Sequence, residues 1–240
     1  MTRNTWKVTT ITTTPEIFPG PLDFSNVGRS LKEDIWSLEI IRIDKFKDNN
    51  KLKIDSPPSG GGPGMILRAD VVIPIIMNIR EKGDKRPIII PAPRGRRYEQ
   101  EVARGLIKED GIIIICGRFE GIDQRIVEAT GATELSIGDY ILTNGDIAAI
   151  SIIDSCVRLL DGVINTKESI SNESYENGLL EHPQYTLPRN YEGHQIPPIL
   201  LTGNHKDIKS WRLKKSMEIT KKHRPDLLRK YKKIIAKNDS

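Results

Sequence analysis

Cysteine, aromatic residues and long apolar runs are scarce in this chain of 240 residues. The two cysteines, Cys116 and Cys156, are too few for a disulfide framework or for a structural zinc site. The longest apolar run, Val71 to Met77, is too short to span a bilayer, and Pro74 interrupts it. The first ten residues lack the apolar core of a secretory signal. We therefore expect a cytoplasmic protein with no membrane segment and with reduced thiols.

Several motifs of common enzyme classes are also missing. The sequence has no P-loop, no G-x-G-x-x-G fingerprint after a strand and no G-x-S-x-G nucleophile motif. The four histidines do not have the spacing of metal ligands. These absences argue against a P-loop NTPase, a typical dinucleotide-binding dehydrogenase and an α/β-hydrolase.

Positive charge is concentrated at the C-terminal end of the chain. The net charge is +5, but residues 205–240 carry 13 Lys or Arg against 4 Asp or Glu, a net of +9. The remaining residues carry a net of −4. This asymmetry indicates a polyanionic partner. The alternative interpretation is a solvated, lysine-rich helix surface that has the same excess of positive charge and no partner.

Short β-rich runs alternate with helical patterns over the first two thirds of the sequence. Two continuous isoleucine runs, 88–90 and 112–115, are typical of strands that are buried on both faces of a parallel sheet. The pattern predicts an α/β domain with a mostly parallel sheet. Its predicted strands are Lys7–Ile11, Ser37–Arg42, Pro87–Ile90, Ile112–Cys116 and Thr133–Ile137, and its predicted helices are Ala69–Glu81, Tyr98–Leu106, Ile122–Ala129 and Ile147–Leu160.

The character of the chain changes after this region. We expect an apolar stripe of Ile147, Ile150, Ile153, Val157 and Leu160 on the last of these helices. A polar segment follows, and helical patterning resumes at Asp207–Thr220 and Pro225–Ala236. The prediction is therefore a domain over residues 1–163, a linker over 164–174 and a small basic α-helical domain over 175–240.

Glycine-rich loops follow three of the predicted strands. They contain Pro93-Arg94-Gly95, the segment CGRFEGID from Cys116, and SIGDYILTNGD from Ser136. In open α/β sheets, ligands bind outside the carboxyl ends of the strands, so these loops are expected to share one pocket. Taken by itself, each loop is more typical of an ordinary strand-to-helix turn than of a ligand site.

These loops carry a resemblance to a known family. CGRFEGID and SIGDYILTNGD, preceded by SGGGPGM, resemble the bacterial tRNA (guanine-N1)-methyltransferases that modify guanine 37 and belong to the SPOUT class. The resemblance continues through GLL at residue 178, HPQYT at 182, PPILLTGNH at 197 and WR at 211. It covers nearly the whole chain, in order.

The resemblance implies a fold, a cofactor and partners. The α/β domain would contain a C-terminal trefoil knot that binds S-adenosylmethionine in a bent form. The protein would act as a homodimer on tRNA with guanines at positions 36 and 37, and would release 1-methylguanosine and S-adenosylhomocysteine. The positions carried over for cofactor binding are Pro93, Gly95, Gly117, Phe119, Glu120, Gly121, Ile137, Gly138, Tyr140, Leu142, Asn144 and Gly145.

The resemblance also implies the catalytic residues. Glu173 matches the position of the general base, and Arg158 matches the position of the group that stabilises negative charge on guanine. The resemblance also implies that the enzyme requires magnesium, which would bind near Glu120. Without the resemblance, Glu173 is an exposed linker charge, and Arg158 is an ion-pair partner of Asp154.

The sequence departs from the family at five places. The family usually has Asp at Glu173, Gly at Asn144, Tyr at Phe119 and Ser59, and Gln at Arg94. The alternative function is a non-catalytic RNA-binding protein that uses only its basic tail. The intact glycine-rich loops argue against it, because electrostatic RNA binding needs none of them.

Overall fold

A computed structural model describes residues 4–45, 53–164 and 173–238 of the chain. By its internal contacts the chain divides into two compact units, residues 1–165 and 166–240. Most of the predicted linker, residues 165–172, lies outside the described residues.

The first unit alternates strands and helices along the chain. The strands are β1 Trp6–Thr12, β2 Trp36–Arg42, β3 Asp55–Ser56, β4 Ile66–Leu67, β5 Ile88–Arg97, β6 Gly111–Ile115 and β7 Thr133–Ser136. The helices are α1 Ser25–Lys32, α2 Ala69–Glu81, α3 Gln100–Leu106, α4 Gln124–Thr130 and α5 Asp146–Val157. Short 3₁₀ turns lie at Pro15–Ile17, Gly20–Asp23 and Ile43–Lys45, and another at Pro198–Leu201 belongs to the second unit.

Five of these strands form one sheet, in the order β2-β1-β6-β5-β7, and every neighbouring pair is parallel. The predicted α/β class with a mostly parallel sheet is confirmed. β1 and β6 approach closely at Gly111, where a Cβ would overlap the carbonyl oxygen of Lys7. The backbone of Gly111 has a φ of 148°, which also favours glycine.

The core lies on both faces of this sheet. Along β6, Ile112 and Ile114 pack into one apolar cluster, and Ile113 and Ile115 pack into the other. All four side chains are fully buried. Successive side chains of a strand point to opposite faces, so a continuous isoleucine run is required where both faces are covered.

Two predictions about helices need correction. α1 has no counterpart in the predicted pattern, because it is only eight residues long and its apolar side consists of Val27, which is buried, and Leu31, which is partly buried against the same core. The prediction that Ile147 belongs to the buried apolar stripe of α5 is also wrong. Ile147 is 48% exposed, whereas Ile152 and Ala149, which the stripe does not include, are buried. α5 is buried over most of its circumference, so periodicity does not identify a single core face.

The described part of the second unit is mostly helical. Its helices are α6 His205–His223 and α7 Pro225–Asn238, both longer than the sequence pattern predicts. It also contains a short antiparallel hairpin, formed by β8 Asn190–Tyr191 and β9 His194–Gln195. The sequence pattern does not predict this hairpin. All four of its residues are exposed, so they show no alternation of apolar and polar side chains.

Candidate functional site

The carboxyl ends of β5, β6 and β7 open into one cavity of about 380 Å³. These three strands are neighbours in the sheet, so the loops that follow them emerge at the same edge. Part of the inner wall is apolar and comes from Ile90, Leu135 and Ala148. The arrangement is that of a ligand site at the carboxyl edge of an open α/β sheet.

Nearly all the predicted cofactor-binding residues line this cavity. They are Pro93, Gly117, Phe119, Glu120, Gly121, Ile137, Gly138, Tyr140, Leu142, Asn144 and Gly145. Gly95 does not line it. A Cβ on Gly95 would lie 2.5 Å from backbone atoms of Glu134 and Leu135, so this glycine permits the close approach of β5 to β7.

A fourth glycine-rich segment, SGGGPGM at residues 59–65, meets the same site. The backbone N–H of Glu120 donates to the carbonyl of Met65 at 3.1 Å. A Cβ on Gly64 would overlap the side chain of Glu120. The segment is therefore part of the wall beside Glu120.

The start of α5 closes the floor of the cavity against the loop after β6. The backbone N–H of Gly145 donates to the carbonyl of Gly117 at 2.8 Å, and a Cβ on Gly145 would lie 3.0 Å from the Gly117 nitrogen. Asn144, where the family usually has glycine, does not adopt a positive φ. Its side-chain oxygen accepts from the N–H of Asp146 at 3.2 Å. The turn therefore does not require glycine at position 144.

Asp146 is a buried carboxylate that no sequence motif identifies as a site residue. Only 2% of it is exposed. Its two oxygens accept from the hydroxyls of Thr12 at 2.6 Å and Thr14 at 2.9 Å. In the sequence, the role of Asp146 is indicated only by an acidic residue at the start of an apolar helix. Its threonine partners lie more than 130 residues away, so no local pattern shows the pairing.

Cys116 lies at the same junction, at the end of β6. Burial raises the pKa of its thiol well above the ordinary value, and the charge of Asp146 raises it further. The thiol is therefore protonated and inert near neutral pH.

Aromatic and apolar side chains surround the mouth of the cavity. Phe119, Tyr140 and Ile141 are exposed there. The guanidinium of Arg118 lies 4.9 Å from the centre of the Phe119 ring, within cation–π distance. Phe119 has a φ of 58°, an uncommon conformation for a residue other than glycine. These side chains are positioned to cover an apolar ligand.

Arg94, where the family usually has Gln, is fixed on the cavity wall. Its guanidinium donates to Glu134 at 2.8 Å and to Gln124 at 2.7 Å. The side chain is exposed, so these bonds orient it and add little stability.

Arg158, the next catalytic candidate, does not line the cavity. Arg158 follows α5, and its backbone N–H donates to the carbonyl of Asp154 at 3.0 Å. Burial raises the pKa of the Asp154 carboxyl, and the charge of Arg158 opposes that shift. Glu173 belongs to the second unit, where its carbonyl accepts from the N–H of Glu176 at 3.4 Å. The roles of both residues stay predictions.

Within the described ranges, no group of three or more His, Cys, Asp or Glu side chains could hold a metal ion. In the same ranges, no helix is both long enough and apolar enough to cross a membrane.

The fold and the cavity together define an α/β protein with a candidate ligand site at the glycine-rich carboxyl edge of a parallel sheet. The model of the family described as tRNA (guanine-1)-methyltransferase TrmD matches residues 6–230. The chain belongs to this family.

Curated relatives are similar over almost the whole chain. The tRNA (guanine-N(1)-)-methyltransferase of Agrobacterium fabrum is 47% identical over 226 residues, which are 94% of this chain and 97% of the relative. The protein of the same name from Rhodopseudomonas palustris strain TIE-1 is 47% identical over 238 residues, 98% of this chain and 96% of the relative. The protein of the same name from Chelativorans sp. strain BNC1 is 46% identical over 223 residues, which are 93% of this chain and 95% of the relative.

Proposed function

We propose that this protein transfers the methyl group of S-adenosylmethionine to N1 of guanine 37 in tRNAs with guanines at positions 36 and 37. The products are 1-methylguanosine in the tRNA and S-adenosylhomocysteine. The observation that carries this proposal is the cavity of glycine-rich loops at the carboxyl ends of β5, β6 and β7, in a chain that belongs to a tRNA methyltransferase family.

The residues of the cavity fit an adenosine-containing methyl donor. Its volume of about 380 Å³ lies within the range of small-molecule sites. Apolar side chains such as Ile137 and Leu142 can cover the faces of a purine, while backbone groups of the three loops can bond its edge. Around Gly121 the space is open, since a Cβ there would meet no atom within 4 Å. When bound, the donor supplies a methyl group on a positively charged sulfur.

The proposed assembly follows the family. We propose that the C-terminal part of the α/β domain forms a trefoil knot, and that two copies of the chain form the active enzyme. The hydrogen bond from Gly145 to Gly117 holds the start of α5 against the loop after β6. The knot itself is proposed from the family alone.

Glu173 is the proposed general base. N1 of neutral guanine carries a proton and is a poor nucleophile. As the N1–carbon bond forms and the carbon–sulfur bond breaks, the electron pair of the broken bond returns to sulfur, and the N1 proton passes to the Glu173 carboxylate. The carboxylate must lie about 2.6–3.2 Å from N1 for this transfer.

Arg158 is the proposed electrostatic partner. Negative charge builds on the guanine, towards O6, as the N1 proton leaves. A guanidinium near O6 stabilises this charge most effectively in a site from which water is excluded.

The residues present do not by themselves make a magnesium site. Glu120 is a single carboxylate, and in the described ranges no cluster of metal-ligating side chains accompanies it. Magnesium keeps several waters and binds proteins through one or two carboxylates, so this ligand set is minimal. No catalytic step is assigned to the metal.

Methyl transfer to defined transcripts tests the proposal. The protein, supplied with S-adenosylmethionine carrying a labelled methyl group, should label a tRNA transcript with guanines at positions 36 and 37, and nuclease digestion should release 1-methylguanosine. The matched control is the same transcript with adenine at position 37, which should stay unlabelled. Tight tRNA binding without methyl transfer, and without binding of S-adenosylmethionine, would instead favour a non-catalytic RNA-binding protein.

A further inference from the structure

The second unit contains its own cavity, of about 300 Å³, which the proposed reaction does not use. Its wall includes the loop at residues 182–187 and the first half of α6. Among the side chains that line it are His182, Tyr185, Leu187, Leu201, Trp211 and Arg212. The cavity is thus aromatic and apolar, with a cation at its edge.

Three aromatic rings meet in this cavity. The Trp211 ring centre lies 6.5 Å from that of His182 and 6.3 Å from that of Tyr185. The planes are inclined by 59° and 58°, so the rings do not stack face to face on one another. Tyr185 is 47% exposed. An incoming planar group can therefore reach an aromatic face.

The position of Trp211 is fixed by the packing of α6. Ile208, Trp211 and Arg212 share one face of the helix, because residues three and four apart are neighbours on its surface. The same face continues to Ser216 and Thr220, which are buried. The backbone N–H of Leu180 donates to the Thr220 hydroxyl at 2.9 Å, which holds the helix against the chain that leads into the 182–187 loop. The aromatic cavity is thus built before any partner arrives.

The charge of α6, which forms part of the cavity wall and places Arg212 in its lining, favours an anionic partner. α6 carries seven Lys or Arg residues and only two acidic ones. The apolar wall alone would suit many protein surfaces, but its combination with dense positive charge suits a chain that carries planar groups on an anionic backbone. Single-stranded nucleic acid has this chemistry, because its bases stack on aromatic side chains and its phosphates bind Lys and Arg.

We propose that this cavity binds one unstacked base of the tRNA, held against Tyr185 and Trp211, with Arg212 at a neighbouring phosphate. The proposal rests on the proposed function for its RNA partner. The cavity volume lies at the lower limit of about 300–1,000 Å³ for small-molecule sites, which suits one base.

The affinity of the full-length protein for the tRNA transcript tests this site. Tyr185→Ala should weaken binding by about 5- to 150-fold, which is the usual 1–3 kcal/mol of base stacking. Tyr185→Phe should bind like the parent, since it keeps the ring. The matched control is Tyr191→Ala, because Tyr191 is 62% exposed but belongs to the β8–β9 hairpin and does not line the cavity.

Salt dependence separates stacking from charge. Tyr185→Ala should leave the slope of log affinity against log salt unchanged, because it removes no cation. Arg212→Gln should lower both the affinity and the slope. Bound tRNA should also protect Trp211 from quenching by acrylamide, and Trp211→Phe should abolish the protectable signal, since Trp6 and Trp36 are buried.

Two results would overturn the proposal. If Tyr185→Ala binds tRNA as tightly as the parent does, no base stacks there. If the variant instead has a lower mass in light scattering with its RNA affinity unchanged, the cavity belongs to an interface with a second copy of the chain. Binding is measured without the methyl donor, so a parent protein that binds tRNA through Tyr185 but transfers no methyl group would refute the proposed reaction and leave the base site intact.

Discussion

The hydroxyl of Thr12, at the end of β1, donates to the carboxylate of Asp146 at a distance of 2.6 Å. Thr14 donates to the other oxygen of the same carboxylate, at 2.9 Å. Asp146 is the first residue of α5 and directly follows Gly145, which bonds the loop after β6. One buried carboxylate thus ties the end of β1 to the segment that forms the floor of the cavity.

Replacing Asp146 should therefore loosen the cavity. We expect Asp146→Asn to lower the free energy of unfolding by about 1–3 kcal/mol, because the amide keeps one acceptor oxygen but replaces the other with an NH₂ donor, so one of the two threonine hydroxyls loses its acceptor. The apparent affinity for S-adenosylmethionine should fall as well. Denaturant unfolding and calorimetric titration measure the two effects.

Thr12→Ser is the matched control for this prediction, since it keeps the hydroxyl that bonds Asp146. It should retain cofactor affinity, whereas Thr12→Val should behave like Asp146→Asn. Unchanged stability and affinity in Asp146→Asn would show that the carboxylate does not hold the loops.

The isoleucine runs and glycine-rich loops were sufficient to predict the parallel sheet and the cavity at its edge. Their signal is local, since a β-branched run identifies a buried strand and a glycine-rich turn identifies a loop. Asp146 shows what local patterns omit, because its role depends on threonines far away in the sequence. The exposed position of Ile147 is a similar case, since α5 is buried on most sides and its packing, rather than its period, determines which residue is exposed.

The two cysteines should be unreactive in the folded protein. Burial raises the pKa of Cys116, and it raises that of Cys156 to about 11. Only thiolates react readily with a disulfide reagent, so almost no labelling is expected at about pH 8 in the native state. Both thiols of the chain should react once the protein is unfolded in denaturant. A rapidly labelled thiol in the native protein would mean that one of these sites opens, and Cys156→Ala would identify which.

Neutralising part of the basic tail should reduce the salt dependence of tRNA binding. The triple change of Lys214, Lys221 and Lys222 to Gln should weaken binding and lower the salt slope by about 0.7–0.9 for each phosphate that is no longer neutralised. Lys215→Gln is a useful comparison, since Lys215 already pairs with Glu218 at 2.7 Å. It should change the slope less than any of the other three single changes. An unchanged slope in the triple variant would mean that other residues bind the phosphates.

The active protein should be a dimer. Two chains of 27.1 kDa give a mass of about 54 kDa, which light scattering can distinguish from the monomer at micromolar concentration. The mass should be measured in the same buffer as methyl transfer. A monomeric protein that methylates tRNA would refute the proposal that two copies of the chain form the active enzyme.

Glu173→Gln gives the most direct test of the proposed base, because it keeps the size and polarity of the side chain and removes the proton acceptor. Under single-turnover conditions the methyl-transfer rate should fall by about 10²- to 10⁴-fold, the usual contribution of general base catalysis. The affinity for S-adenosylmethionine should hardly change, since the residues proposed to bind the donor are those of the glycine-rich loops. Glu173→Asp is the control and should retain substantial activity, because the family usually has Asp at this position. If Glu173→Gln were nearly as fast as the parent, the base would be elsewhere, and Asp139 and Asp154 would be the next carboxylates to replace.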